Sequence, residues 1–456
     1  MLINRSLLDK YPTAGPRYTS YPTAADFENN FDSRLLEKEL LAGNASKSPL
    51  SIYLHVPFCE SLCFYCGCNK VVTRNHHRAD EYLAYLFREI EHYGSLICAS
   101  RQIEQLHLGG GTPTFLSVDQ LSALMKHLKK HFSFVDDRHG DFSIEIDPRQ
   151  VDVEVINHLR FLGFNRLSLG VQDFDARVQS AINRIQPYEQ TFSAINAAND
   201  AGFTSINVDL IYGLPHQTAK SFKSTIRRII ELKPDRISLF SYAHIPHIIK
   251  AQRAIDDGAI PNTDEKLAIF ELSKKMFEQA GYISIGLDHF AKPGDPLSIA
   301  ANEQQLQRNF QGYTTHKDMP LLGLGVSSIS KIGRVFAQNS KELPDYYQAI
   351  NTRNNAINRG RYLTQDDEIR ANVISDLSCD RAVVFSEYNA RYSISFADYF
   401  LNELMMLKSF IDDGLVIHSD NAIVVSDFGR MLLRPICMVF DIYRQSDDTL
   451  KFSKVV

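Results

Sequence analysis

The sequence predicts an α/β protein: a partial, about six-stranded parallel β/α barrel with an N-terminal extension and a mainly helical, winged-helix-like C-terminal domain. Three observations predict it. Strand-like and helix-like segments alternate about six times between residues 51 and 287, a rhythm that implies parallel strands joined by crossover helices. Glycines and polar residues stand at the C-terminal ends of those strands, where parallel barrels carry their chemistry. After residue 335 the rhythm stops and helical patterns take over. The expected organisation is an extension over residues 1–50 that covers the active site, a barrel over 51–335 and a mainly helical domain over 336–456.

Taken in order, Pro12, Pro16 and Pro22 keep the start extended or turning, and a short helix fits 33–42. Residues 51–58 read as a strand that runs into a group of cysteines. A helix over 79–97 follows, then a strand over 105–108 ending in Gly109-Gly-Gly-Thr-Pro113. Next come a helix over 118–131 and a strand over 142–146, which ends in Glu145 and Asp147 before Pro148. A helix over 153–162 leads to a strand over 166–171 with Gln172 at its end. Helical stretches over 175–182 and 190–201 precede a strand over 205–211. A helix over 219–231, a strand over 236–242, a helix over 264–280 and a strand over 282–287 complete the series. Beyond it, helices fit 343–357, 364–377 and 396–411. Two apolar runs around Ser419-Asp-Asn421 signal a hairpin. An open dinucleotide-binding sheet is the rival, but the first β–α turn carries cysteines and no Gly-x-Gly-x-x-Gly.

Composition narrows the function. With 44% hydrophobic and 23% charged residues the chain has the balance of a globular protein. No apolar run approaches the roughly 18 residues of a membrane span, and the first ten residues make a poor signal peptide. The net charge of −5 argues against nucleic acid as a partner. A cytoplasmic protein without a membrane partner is the expectation.

Four of the 7 cysteines fall within ten residues: Cys59, Cys63, Cys66 and Cys68. An odd total with one tight group is no disulfide framework. The spacing C-x3-C-x2-C-x-C sets three thiolates on one loop, able to meet three irons of a [4Fe–4S] cube and leave one iron open. The plainer reading is a structural zinc site, but such sites usually separate their C-x2-C pairs. Cys98, Cys379 and Cys437 read as small apolar filler. His55, His107 and His289, at strand ends, read as hydrogen-bonded histidines without a catalytic role.

On these residues the chain resembles the radical S-adenosylmethionine superfamily, with Tyr65 as the aromatic before the third cysteine. Within it, the chain is similar to the oxygen-independent coproporphyrinogen III oxidase family along essentially its whole length. Eight segments carry the likeness: Pro16-Arg-Tyr-Thr-Ser-Tyr-Pro-Thr-Ala24, Cys63-Phe-Tyr-Cys-Gly-Cys-Asn-Lys70, Gly109-Gly-Gly-Thr-Pro113, Ser143-Ile-Glu-Ile-Asp-Pro148, Asn165-Arg-Leu-Ser-Leu-Gly-Val-Gln-Asp-Phe174, Asp209-Leu-Ile-Tyr-Gly-Leu-Pro215, Asn309-Phe-Gln-Gly-Tyr-Thr-Thr315 and Gly323-Leu-Gly-Val-Ser-Ser-Ile329.

The resemblance implies a [4Fe–4S] cluster on Cys59, Cys63 and Cys66, and two molecules of S-adenosyl-L-methionine. It implies a 5′-deoxyadenosyl radical that starts the oxidative decarboxylation of two propionates of coproporphyrinogen III to vinyls, giving protoporphyrinogen IX for heme. Tyr53, Gly110, Glu145 and Ile329 match contacts to the first cofactor molecule. Tyr65, Gly111, Thr112, Gln172, Arg184, Asp209 and Ala243 match contacts to the second. Cys68 matches a fourth cysteine that is not a ligand, and Cys68 and Glu145 are the candidate catalytic residues. Arg17 is the candidate cation for a substrate with four propionates. A reductant and an electron acceptor are implied but not identified, and a monomer is expected. The alternative is a heme chaperone or heme-modifying relative; such chaperones generally lack both the fourth cysteine and the segment around Arg17.

Overall fold

The six-stranded rhythm is present in the computed structural model, which describes Leu7, Lys10, Tyr11 and residues 15–316 and 318–444. Its strands are β1 (Leu50–Val56), β2 (Gln102–Gly110), β3 (Asp141–Ile146), β4 (Arg166–Gln172), β5 (Ser205–Tyr212) and β6 (Arg236–Ser241). They pair in chain order and all in parallel, with Tyr53 beside His107 on one side and Ser238 beside Asp209 on the other. Sequential parallel pairing with intervening helices is the strand order of a β/α barrel. β1 is buried at all positions but Tyr53, as a parallel strand covered on both faces should be.

Helix α1 (Arg34–Ser46) precedes β1. The crossovers are α2 (His77–Leu96), α3 (Val118–His131), α4 (Val153–Leu162), α5 (Ala176–Ala181), α6 (Tyr188–Asp200) and α7 (Ala219–Leu232), with α8 (Thr263–Gln279) after β6. Local sequence sets their starts. Ser117 and Gln120 form a reciprocal capping box on α3, and Thr218 and Ser221 form one on α7. Asp152 accepts from the Val155 amide to open α4. Each cap satisfies amides that the first helical turn leaves unpaired.

The sheet continues on the far side of β1. Strand β7 (Leu321–Leu324) runs parallel to β1, and β8 (Ile329–Ile332), β9 (Val335–Asn339) and β10 (Ile357–Tyr362) follow antiparallel. Sequence patterning shows only helix for 343–357. The helix α9 (Leu343–Arg353) stops there because Asn354 turns left-handed, and Ile357 begins β10. The strands β7 to β10 escaped because each is short and the turn between β8 and β9 is only Gly333-Arg334.

The chain forms two compact units that interleave in sequence and do not follow consecutive blocks. The sheet unit comprises residues 27–280 and 318–362, and the second unit comprises 1–26, 281–317 and 363–456. The first fifty residues therefore divide. Glu28–Asn29 pairs antiparallel with β10 inside the sheet unit. Inside the second unit the Tyr18 hydroxyl donates to Asp441 Oδ2 at 2.8 Å, and Arg444 pairs with Asp26.

The second unit holds α10 (Gln365–Ser378), α11 (Phe385–Tyr392) and a small sheet of β11 (Val383–Val384), β12 (Val416–His418) and β13 (Ala422–Val425), with β13 in the middle. Strands β12 and β13 are the expected hairpin. The helix expected over 396–411 is three short ones, Phe396–Tyr399, Leu401–Met406 and Lys408–Asp412. The chain leaves helical geometry at Phe400, whose buried ring packs on Phe396 and Phe440. Among the described residues, no helix is long and apolar enough to cross a membrane.

Glu89 of α2 joins three parts of the sheet unit. It is fully buried. Its carboxylate accepts from the Gly325 amide at 2.7 Å, the Asn339 side chain at 2.7 Å and the Tyr346 hydroxyl at 2.8 Å. Burial pushes its pKa up to about 7, against the pull of those donors. Folded chains therefore keep a proton that unfolded chains release between about pH 4.5 and 7. Stability falls as pH rises through that window, by about 1.4 kcal/mol per unit and about 3 kcal/mol in all. Glu89→Gln removes this titration. Its unfolding free energy in urea should gain about 3 kcal/mol on wild type between pH 4.5 and 7, and a constant difference would contradict the assignment.

Candidate functional site

The cysteine loop leaves the C-terminal end of β1 and is closed at its neck. Phe58–Cys59 pairs in parallel with Val71–Val72. The Val71 amide donates to Pro57 O at 2.6 Å and the Thr73 amide to Cys59 O at 2.9 Å. Its far side is anchored as well. The Phe64 amide donates to Ile182 O at 3.0 Å, and Asn183 Nδ2 donates to Leu62 O at 2.7 Å. Phe64 and Tyr65 pack against Val178, Ile182, Leu214, Tyr242 and Ile255. Gln252 Nε2 donates to Tyr65 O at 3.1 Å and to Ala243 O at 2.9 Å, tying the loop to the turn after β6.

The thiols sit in different environments. Burial pushes Cys59 up to about 11, although Thr112 Oγ1 donates to its sulfur at 3.6 Å. Cys66 is drawn down to about 6, first by the hydrogen bond from Cys68 and then, against burial, by the charge of Lys70. The same bond pushes Cys68, which is exposed, well up. Lys70 Nζ also donates to Cys66 O at 2.8 Å. Cys63 is buried between two guanidinium groups: Arg184 Nη1 lies 3.6 Å and Arg149 Nη2 3.7 Å from its sulfur.

Asp147 clamps both arginines. Its Oδ2 receives Arg149 Nη2 at 2.6 Å and Arg184 Nη1 at 3.1 Å. Burial opposes its ionisation, but the charge of Arg184, followed by Arg149, holds the carboxyl below its usual range. Asp147 also accepts from the Arg149 amide and caps the short helix Pro148–Gln150. Neither Asp147 nor Arg149 was singled out from sequence as a site residue. The available signal was an Asp-Pro-Arg turn at the end of β3.

The glycine turn after β2 locks against this loop. The Gly111 amide donates to Val56 O and the Thr112 amide to Phe58 O, both at 2.8 Å. A Cβ on Gly109 would stand 2.9 Å from Glu145 Oε1, so glycine lets the carboxylate lie across the turn. Gly110 has φ +115°, and a Cβ there would stand 2.6 Å from the His55 ring. Glu145 accepts from the Gly110 amide at 3.3 Å and bonds His107 Nε2 at 3.1 Å. Tyr53 stacks on His107 and its hydroxyl lies 3.0 Å from His55 Nδ1; the other His55 nitrogen bonds Asn69 O. His289, in the second unit, bonds Asp288. All three histidines have the hydrogen-bonded surroundings expected of them.

Further along the strand ends, Gln172 has φ +69° and is buried, and its Oε1 has no hydrogen-bond partner among the described residues. Arg184 Nη2 donates to Gly170 O at 2.7 Å. On β5, Asp209 accepts from Ser168 at 3.2 Å and from Asn207 at 2.8 Å. Ile329 opens β8, its backbone against Gly323 of β7. Tyr53, the four cysteines, Gly110, Gly111, Thr112, Glu145, Gln172, Arg184, Asp209, Ala243 and Ile329 all belong to the sheet unit. Arg17 belongs to the second unit, where its carbonyl accepts from Arg308 Nη1 at 3.0 Å.

The donor set fits a [4Fe–4S] cluster better than one metal ion. Among the described residues, Cys59, Cys63 and Cys66 do not converge within 4.8 Å of one another, as ligands of one ion would; only Glu91, His127 and His131 do. That trio has its own hydrogen bonding, with His127 Nε2 3.2 Å from Phe87 O. Spread thiols on one pinned loop suit separate irons of a cube. Cys59, pushed up to about 11 by burial and then by the neighbouring thiols, ionises readily only against a bound cation. The unpartnered Gln172 oxygen suits a polar ligand beside it.

Residues 53–229 match the radical SAM superfamily and residues 363–432 match the HemN C-terminal domain. Thiol loop, parallel strands and family match together define a radical S-adenosylmethionine protein, a class that uses a [4Fe–4S] cluster and S-adenosylmethionine. The chain is 48% identical to the oxygen-independent coproporphyrinogen III oxidase of Escherichia coli strain K12, over 99% of this chain and 98% of that one. It is 45% identical to that of Pseudomonas aeruginosa over the same shares. A solved structure described as coproporphyrinogen III oxidase (HemN) from Escherichia coli, a radical SAM enzyme, superposes with a TM-score of 0.92 at 47% identity, covering 97% of this chain and 99% of that one. The chain belongs to the oxygen-independent coproporphyrinogen III oxidase family.

Single substitutions separate ligands from bystanders. Cys59→Ala, Cys63→Ala and Cys66→Ala should each lose most iron and sulfide from anaerobically purified protein. Cys68→Ala should retain both at the wild-type level. Loss of the cluster in Cys68→Ala would make it a ligand and contradict the three-thiol set.

Proposed function

We propose that this chain converts two propionates of coproporphyrinogen III to vinyls without oxygen, yielding protoporphyrinogen IX. The observation that carries the reading is identity near one half with named oxidases across essentially the whole chain. The fourth cysteine and the segment around Arg17 favour it over a heme chaperone. The cluster and S-adenosylmethionine, when bound, supply hydrogen-atom abstraction. The chain's own groups hold and orient. Cys59, Cys63 and Cys66 hold the cluster. Tyr53, Gly110, Glu145 and Ile329 position one S-adenosylmethionine, with the Glu145 carboxylate suited to an ammonium group or ribose hydroxyls. Tyr65, Gly111, Thr112, Gln172, Arg184, Asp209 and Ala243 position a second molecule. Cys68, two residues after the cluster ligand Cys66, is the catalytic candidate together with Glu145. Arg17 receives a propionate. The enzyme works as a cytoplasmic monomer with a separate reductant and electron acceptor, and without nucleic acid or membrane.

Anaerobic turnover tests this reading. Reconstituted, reduced protein given S-adenosylmethionine and coproporphyrinogen III should release two carbon dioxide units per substrate and form 5′-deoxyadenosine. Intact cluster with neither product would overturn it. Arg17→Ala should raise KM for the substrate by about tenfold or more, since a charge-assisted hydrogen bond is worth about 1.5–3 kcal/mol. An unchanged KM and kcat would remove Arg17 from substrate binding.

A further inference from the structure

One buried carboxylate, the buried Arg184 guanidinium and the mostly covered Arg149 guanidinium surround a single cysteine of the loop. Asp147 neutralises one of the two positive charges, so a surplus positive charge stands beside Cys63. Arg149 is tightly held. Its Nε lies 3.0 and 3.2 Å from the two Asp147 oxygens and its Nη2 2.6 Å from Oδ2, while the same Nη2 reaches Cys63 Sγ at 3.7 Å. The side chain is 16% exposed, so solvent screens it weakly. Arg184 has a further task at the second cofactor, and its other nitrogens are engaged by Gln186 and Gly170. Arg149 bonds only Asp147 and Cys63 through its side chain among the hydrogen bonds described.

We propose that Arg149, oriented by Asp147, is a positioning residue that raises the reduction potential of the cluster through its charge and its N–H···S bond to Cys63. Hydrogen bonds to ligand sulfur and nearby positive charge favour the more negative, reduced state of an iron–sulfur centre. The effect is local because Asp147 fixes the guanidinium plane on one sulfur of the three. Among the hydrogen bonds described, Cys63 Sγ thus receives two guanidinium groups, while Cys59 Sγ receives the Thr112 hydroxyl and Lys70 Nζ donates to the Cys66 carbonyl. The inference rests on the radical S-adenosylmethionine reading of the loop.

The test is an anaerobic redox titration of the reconstituted protein without S-adenosylmethionine, followed by electron paramagnetic resonance. Arg149→Met should lower the midpoint so that at least tenfold less cluster is reduced at a given potential, about 59 mV for one electron. Arg149→Lys, which keeps charge but not the forked geometry, should fall between. An unchanged midpoint in Arg149→Met, with a wild-type signal, overturns the proposal. If Arg149→Met fails to retain its cluster, Arg149→Gln takes its place with the same expected fall. Loss of the cluster in all three variants also overturns it, assigning Arg149 to loop assembly. Failure of the underlying reading looks different: wild-type protein would then hold no [4Fe–4S] signal at all.

Discussion

Three sulfur anions must be gathered on one short loop, and everything near the end of β1 answers that constraint. Thiolates repel one another and resist burial unless cations or hydrogen bonds meet them. The loop neck, held by Val71 and Thr73 on β1's own continuation, fixes the backbone. Thr112, Lys70, Arg149 and Arg184 then bring donors or charge to individual residues of the loop. The glycine turn after β2 is close enough to share its amides with Val56 and Phe58 because no side chain intervenes. A parallel sheet makes this possible, since neighbouring strands all end on the same side and deliver their turns to one place.

That delivery depends in turn on support from behind. Glu89 reaches from α2 to the turn after β7 and to Asn339 and Tyr346, so the segment leading to Ile329 is set by a buried carboxylate rather than by apolar packing alone. Gln252 does a similar service for Tyr65 and Ala243. The contacts from Glu89 to Gly325 and from Gln252 to Tyr65 cross long sequence separations, and both fix main-chain atoms beyond strand ends.

Much of this was legible in the sequence, for physical reasons. Parallel strands are short apolar runs ended by turn residues, so β1 to β6 stood out. The cysteine spacing and Gly109-Gly-Gly-Thr112 are local patterns whose chemistry follows from their residue types. What escaped depends on contacts between segments distant in the chain. Asp147, Arg149 and Arg184 form one clamp only because the ends of β3 and β4 are neighbours. Strands β7 to β10 are too short to set up a rhythm, and the break at Phe400 follows from a ring packing on Phe440, forty residues away in the chain. The compact units interleave because β7 to β10 return to the sheet after an excursion through residues 281–317, a crossing that no composition change announces.

The central claim is a cluster on three cysteines with one iron left for S-adenosylmethionine. Mössbauer spectroscopy of protein loaded with isotopically enriched iron, with and without S-adenosylmethionine, tests it most directly. One iron site should change its spectrum on cofactor addition while the cysteine-bound sites keep theirs. A spectrum of equivalent, fully cysteine-ligated irons that ignores the cofactor would contradict it.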